Sequence, residues 1–224
     1  MTFSLVGRCD RTGMVGTAVS SSSPAVAARC AHARAGAGAA ASQNVTDPRL
    51  GPAVLELMAG GRTAQQAVDA ALAKAPGSAY RQVTAVDEAG STGAFSGAYT
   101  LGTHAVVQAP GAVAAGNLLA SPDVPAAMVA AFASEPGAQL GARLVAGLRA
   151  GLAAGGEEGP VRSAGLIVCD GVEWPVVDLR VDWDDDPIAG LAALWGVWEP
   201  QIGDYVTRAL DPAASPGFGV PGDE

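Results

Sequence analysis

Residues 1–10 read MTFSLVGRCD, and their reading decides the fold. Phe3-Ser-Leu-Val-Gly7 has the composition of a buried strand. Asp10-Arg-Thr-Gly13 follows with Asp first and Gly fourth, as a type I turn prefers. Met14 to Ser23 then reads as a second strand, so these segments form a hairpin. A hydroxyl residue, Thr2, stands at the first step of the first strand, directly behind Met1.

Working outward, a loop after residue 23 leads to a short strand near Ala37–Gln43. Two helices follow, near Gly51–Gly60 and from Thr63, where Gln66 three residues on gives a capping-box pattern. Ala67, Val68, Ala71 and Leu72 share one face of the second helix. Strands are expected at Tyr80–Val86, Thr92–Gly97, His104–Ala109 and Ala112–Leu118, punctuated by Gly90, Gly102 and Pro110-Gly111. Helices near Pro125–Ser134 and Gln139–Ala153 precede two strands, Ser163–Cys169 and Val172–Val181, around the two-residue hairpin signal Asp170-Gly171. A last helix starts after Pro187 and is kinked or split at Pro200.

That order is α+β rather than alternating βα units. GTAVSS and SAGLIV lack polar alternation, so those strands are covered on both faces. Two stacked sheets with helix layers outside satisfy that need. A chain of 224 residues is long enough to bury such a core without disulfides or metals. One domain is expected over residues 1–210, with 211–224 as a flexible tail.

Composition excludes several classes of function. The formal charge is −9, and Lys74 is the single lysine, so a nucleic-acid or anionic-membrane partner is not expected. No apolar run is long enough for a transmembrane helix. Three widely spaced cysteines point to a reducing cytoplasm, and no secretory signal opens the chain. There is no P-loop, and no Cys or His pair has structural-zinc spacing. Gly36-Ala-Gly38-Ala-Ala-Ala41 has dinucleotide-motif spacing without the strand and helix that must flank it, and reads as a tight chain passage. Asp182-Trp-Asp-Asp-Asp186 reads as an acidic helix start rather than a cation site. No cofactor and no metal are expected. Trp195 and Trp198 sit at helical spacing, in the core or in the seam of a homodimer.

Thr2 is the residue with chemistry in reach. Removal of Met1, normal before a small residue, leaves a free α-amine beside the Thr2 hydroxyl. An α-amine has a pKa of about 7.7–8.0 and can take the hydroxyl proton directly or through a water. Nucleophile and base then come from one residue. Ser4 shares its face of the strand, and Asn117 with the Gly116 amide ends a strand as candidate donors to a negative oxygen. Arg81 and Arg162 lie in otherwise apolar strands with no acid within two residues, and are candidate readers of a substrate carboxylate. Arg180 has Asp178 and Asp182 beside it and reads as a structural pair.

MTFSLVGR, GTAVSS, ARAGAGAAASQ, DPRLGP, YRQV, Gly116-Asn117, Arg162–Leu166 (RSAGL) and Val177–Asp182 (VDLRVD) resemble, in that order, a bacterial domain-of-unknown-function family. That family is assigned to the N-terminal-nucleophile (Ntn) hydrolase-like fold. The resemblance implies a four-layer αββα sandwich. It implies an amidohydrolase in which Thr2 attacks the carbonyl of a small amide or ureido substrate. The alternative is a catalytically silent Ntn-like fold that binds a small molecule or serves as an assembly subunit. Family members usually carry Gln where this chain has Ala115, and a basic Gln-containing run where it reads Gly159-Pro-Val-Arg-Ser163.

Overall fold

The opening hairpin forms as expected. In the computed structural model of the chain, which describes residues 1–220, Thr2–Arg8 (β1) and Val15–Ser21 (β2) pair antiparallel, with Phe3 opposite Ser20 and Arg8 opposite Val15. Gly13 turns the chain with a φ of 80°. The stretch expected to be a loop instead holds one helical turn, Ala27–Cys30 (α1), and a strand, Ala31–Arg34 (β3). Four residues gave no usable period, and pairing with Gly38–Asn44 (β4) creates this strand. Gly36 and Gly38, both at positive φ, make the connecting turn. A Cβ on Gly38 would lie 2.2 Å from the Val86 carbonyl oxygen, so the dinucleotide-like spacing is a packing requirement here.

Leu50–Ala59 (α2) and Ala64–Lys74 (α3) follow. The Thr63 and Gln66 side chains cap α3 reciprocally, as the sequence predicts. Arg81–Asp87 (β5), Thr92–Ser96 (β6), Ala105–Ala109 (β7) and Ala112–Asn117 (β8) come next, then Val124–Ser134 (α4) and Leu140–Ala153 (α5). Ser163–Cys169 (β9) and Pro175–Val181 (β10) form the last hairpin. Its loop spans five residues, not two. Neither Asp170 nor Gly171 takes the positive φ that a two-residue type I′ turn requires, and Pro175, with no N–H to give, opens a bulged register. Pro187–Trp198 (α6) and Ile202–Leu210 (α7) are separated by a 3-10 turn over Glu199–Gln201, at Pro200.

The strands make two antiparallel sheets, of order β10-β9-β2-β1-β8-β7 and β3-β4-β5-β6. Helices α2 and α3 cover the second sheet through Val54, Met58, Val68, Val83 and Ala85. Helices α4, α5 and α6 cover the first through Met128, Phe132, Leu144, Leu148 and Leu191. Between the sheets lie Val6, Val15, Ala39, Val86 and Val113. The result is a sandwich of two antiparallel sheets with helices outside. Trp195 is buried, and the Trp198 indole donates to the Val176 carbonyl at 2.9 Å. Of the expected tail, Pro212–Ala214 form a 3-10 turn and the Arg208 guanidinium lies over Phe218; residues 221–224 are outside the described residues.

Side chains alternate along β1. Phe3 and Leu5 enter the helix-covered core, whereas Val6 enters the core between the sheets. Thr2 and Ser4 share the Val6 face, so both point between the sheets at one end of the central strand.

Candidate active site

At that end the inter-sheet core turns from apolar to polar. Thr2 pairs in register with Asn117 across β1 and β8, which places both on the face toward the second sheet. Asn117 donates from Nδ2 to Gln82 Oε1 at 3.1 Å, and Gln43 Nε2 donates to the same oxygen at 2.7 Å. Gln82 donates in turn to Ser96 Oγ at 3.1 Å and to the Gly116 carbonyl at 3.2 Å. On the other side, Thr2 Oγ1 lies 3.3 Å from Ser21 Oγ, and Ser21 Oγ lies 2.8 Å from Ser23 Oγ. Arg29 closes that row by donating to Ser23 Oγ at 2.6 Å. The Met1 carbonyl receives both the Thr2 and the Ser21 hydroxyls.

This network is buried and incompletely satisfied. Thr2 is 6% exposed, and Ser4, Gln82 and Asn117 are fully buried. Ser4 Oγ, Gln43 Oε1 and Asn117 Oδ1 have no hydrogen-bond partner. Each buried, unpaired polar atom costs about 1–3 kcal/mol, so a core selected for stability alone would replace them. Backbone strain collects here too. Among the described residues, Ala25, Asn44 and Leu118 are the non-glycine residues at positive φ, with values of 50°, 74° and 51°. Asn44 and Leu118 directly follow Gln43 and Asn117, and Ala25 lies two residues after Ser23. Strained backbone of this kind clusters at functional sites.

Glu157 completes the end of the sandwich. It sits in the loop between α5 and β9, bridged to Leu119 two residues after Asn117. It is 4% exposed, and neither carboxylate oxygen completes a hydrogen bond, although Ser22 approaches it. Burial pushes its carboxyl up to about 7, and the N-terminal ammonium opposes that rise.

Cavities lie elsewhere, among them one of about 630 Å³ lined by Arg34, Gly36, Glu88 and Glu173. One of about 180 Å³ is lined by Thr12, Gly36, Glu88 and Asp170, at the opposite end of the strands. Another, of about 350 Å³, is lined by Leu140, Val176, Trp195 and Ile202. The Thr2 end is assigned as the site because hydroxyl, amide and carboxyl groups converge there inside the core.

The sequence matches a family model described as "Family of unknown function (DUF1028)" over residues 2–191. The chain belongs to this family. The crystal structure of protein SPO2555 from Silicibacter pomeroyi, which carries the same family model, is similar to it. The two share 31% identity over 93% of each chain, with a TM-score of 0.82. No curated protein matches the chain.

Of the residues singled out from sequence in this DUF1028 chain, Thr2, Ser4 and Asn117 come together. Gly116 is adjacent, but a Cβ there would face Leu119 in the helix-covered core, and its carbonyl is taken by Gln82. Arg81 starts β5 on the face opposite Gln82, with its guanidinium on the Val45 carbonyl. Arg162 pairs with Asp185 and lies over Trp183. Arg180 reaches Asp182 at 3.9 Å. The Asp186 side chain accepts from the Ala189 N–H at the start of α6. Sequence reasoning missed Ser21, Gln43, Gln82 and Glu157. Gln82 and Thr84 alternate with apolar residues in β5 and end on its inter-sheet face, a signal that was available. Glu157 carried none, since its Gly-rich loop resembles any surface loop. Among the described residues no group of three His, Cys, Asp or Glu side chains is placed to hold a metal ion, and no helix is long and apolar enough to cross a membrane.

Proposed function

We propose that this protein is an Ntn-type amidohydrolase that uses Thr2, freed by removal of Met1, to cleave a C–N bond in a small amide or ureido compound. The observation that carries the reading is the buried Thr2 hydroxyl at the head of the central strand, in register with Asn117. A sandwich of two antiparallel sheets with the nucleophile at the start of a central strand is the arrangement expected of an Ntn fold. In this reading the Thr2 α-amine takes the hydroxyl proton, and Oγ1 attacks the carbonyl carbon. The carbonyl π-electrons move to oxygen, and Asn117 stabilises that charge with its second N–H, the first being held by Gln82. Collapse re-forms the C=O and breaks the C–N bond, the leaving amine takes the proton back from the Thr2 α-ammonium, and water then hydrolyses the Thr2 ester. Loss of Met1 also clears the space of its carbonyl, the present acceptor for the Thr2 and Ser21 hydroxyls. Arg81 and Arg162 take no part, because each guanidinium already has a partner.

A second reading has one specific support. Retained Met1 satisfies both hydroxyls, and its thioether end would lie 3.0 Å from a Cβ on Gly159. A chain that keeps Met1 is a silent Ntn-like fold that binds a small molecule or serves in an assembly.

A β-lactone electrophile separates the two. Peptide mass spectrometry should find it as an ester on Thr2, absent from Thr2→Ala and formed about 10²–10³-fold more slowly in Asn117→Ala. No adduct, or an adduct on another residue, contradicts the enzymatic reading.

A further inference from the structure

Glu157 is the group at this end that the proposed chemistry leaves unused. A carboxylate inside a protein is ordinarily paired, because an isolated buried charge is costly. This one has both oxygens shielded from solvent and without a hydrogen bond. Its loop is held rigidly: the Ala120 N–H donates to the Gly156 carbonyl at 3.1 Å, and the Glu158 N–H to the Leu118 carbonyl at 3.0 Å. The N-terminal ammonium and Ser22 pull its carboxyl down, against the larger rise that burial causes. Gly159, two residues on, is in contact range of the Met1 thioether end. Met1 therefore covers the Thr2 end of the sandwich. Its carbonyl meets the Thr2 and Ser21 hydroxyls, and its side chain reaches Gly159, two residues after Glu157.

We propose that Glu157 is the anionic subsite of the Thr2 pocket, built to hold a primary ammonium group. The inference rests on the Ntn reading only in taking Met1 to be removed, which uncovers the Thr2 end. Two sources supply the same chemistry: the α-ammonium of mature Thr2, the resting form from which the neutral amine base is drawn, or that of an α-amino amide entering where Met1 was. If a ligand supplies it, the substrate class narrows to amides of α-amino acids with an unblocked amine.

The test follows the Glu157 side-chain carboxyl by carbon NMR across a pH titration. The protein begins at Thr2, prepared by cleavage of an N-terminal fusion. The resonance is assigned by its loss in Glu157→Gln or, if that variant does not fold, in Glu157→Asp. If the protein supplies the ammonium, acetylating the Thr2 amine raises the Glu157 pKa by about one unit or more. If a ligand supplies it, acetylation leaves the pKa unchanged, and L-methioninamide lowers it by about one unit whereas N-acetyl-L-methioninamide does not. A pKa indifferent to both acetylation and L-methioninamide overturns the proposal. β-Lactone labelling of the unacetylated sample keeps the two claims apart. Labelled Thr2 beside an indifferent Glu157 removes only the subsite, and a responsive Glu157 beside unlabelled Thr2 removes only the nucleophile.

Discussion

Thr2 was legible because a hydroxyl at the first step of a buried strand is a local feature. Its setting was not. Ser21 comes from β2, Asn117 from β8 and Gln82 from the other sheet, and only pairing brings them together. Arg162 shows the same limit: its sequence neighbours include no acid, but Asp185 arrives from 23 positions away. Glu157 gives the residue scale its own prediction. In the chain that retains Met1, burial raises this carboxyl from 4.5 to about 7. Between those values the folded protein holds a proton that the unfolded chain has lost. Stability therefore falls as pH rises through that window and stays lowered above it. At 1.36 kcal/mol per pKa unit the loss is on the order of 3 kcal/mol at most. Thermal melts at pH 5 and pH 8 should show Glu157→Gln gaining on the parent protein at pH 8 alone. Equal differences at both pH values contradict the assignment of a buried, raised carboxyl.

At the scale of elements, the helices and long strands followed from period and punctuation, and the Thr63–Gln66 cap from a four-residue pattern. Two misses share one cause. β3 exists through its partner β4, and the Asp170-Gly171 signal was overruled by Pro175 and the bulged pairing of β10. Tertiary pairing decided both. The contact of α5 with α6 shows the same competition. Gly141 is the second residue of α5, where Ala is the better helix former by at most about 1 kcal/mol. A Cβ there would stand 2.2 Å from the Trp195 ring. Overpacking of this kind costs about 1–3 kcal/mol and outweighs the propensity gain. Gly141→Ala should lower the melting temperature, and a rise would mean that Trp195 moves aside freely.

At the scale of the molecule, two sheets packed face to face produce the site. Strands buried on both faces read as apolar runs, and that pattern made the sandwich legible before any contact was known. The same architecture makes polar groups between the sheets expensive, so those at the Thr2 end need an explanation other than stability. In the proposed function they are the surroundings of an N-terminal nucleophile, a role that needs a free Thr2 amine. Intact-mass spectrometry of the protein purified from its natural host tests this most directly. The account predicts a mass lower than that of the full chain by one methionine residue, with Thr2 as the first residue; quantitative retention of Met1 would contradict it.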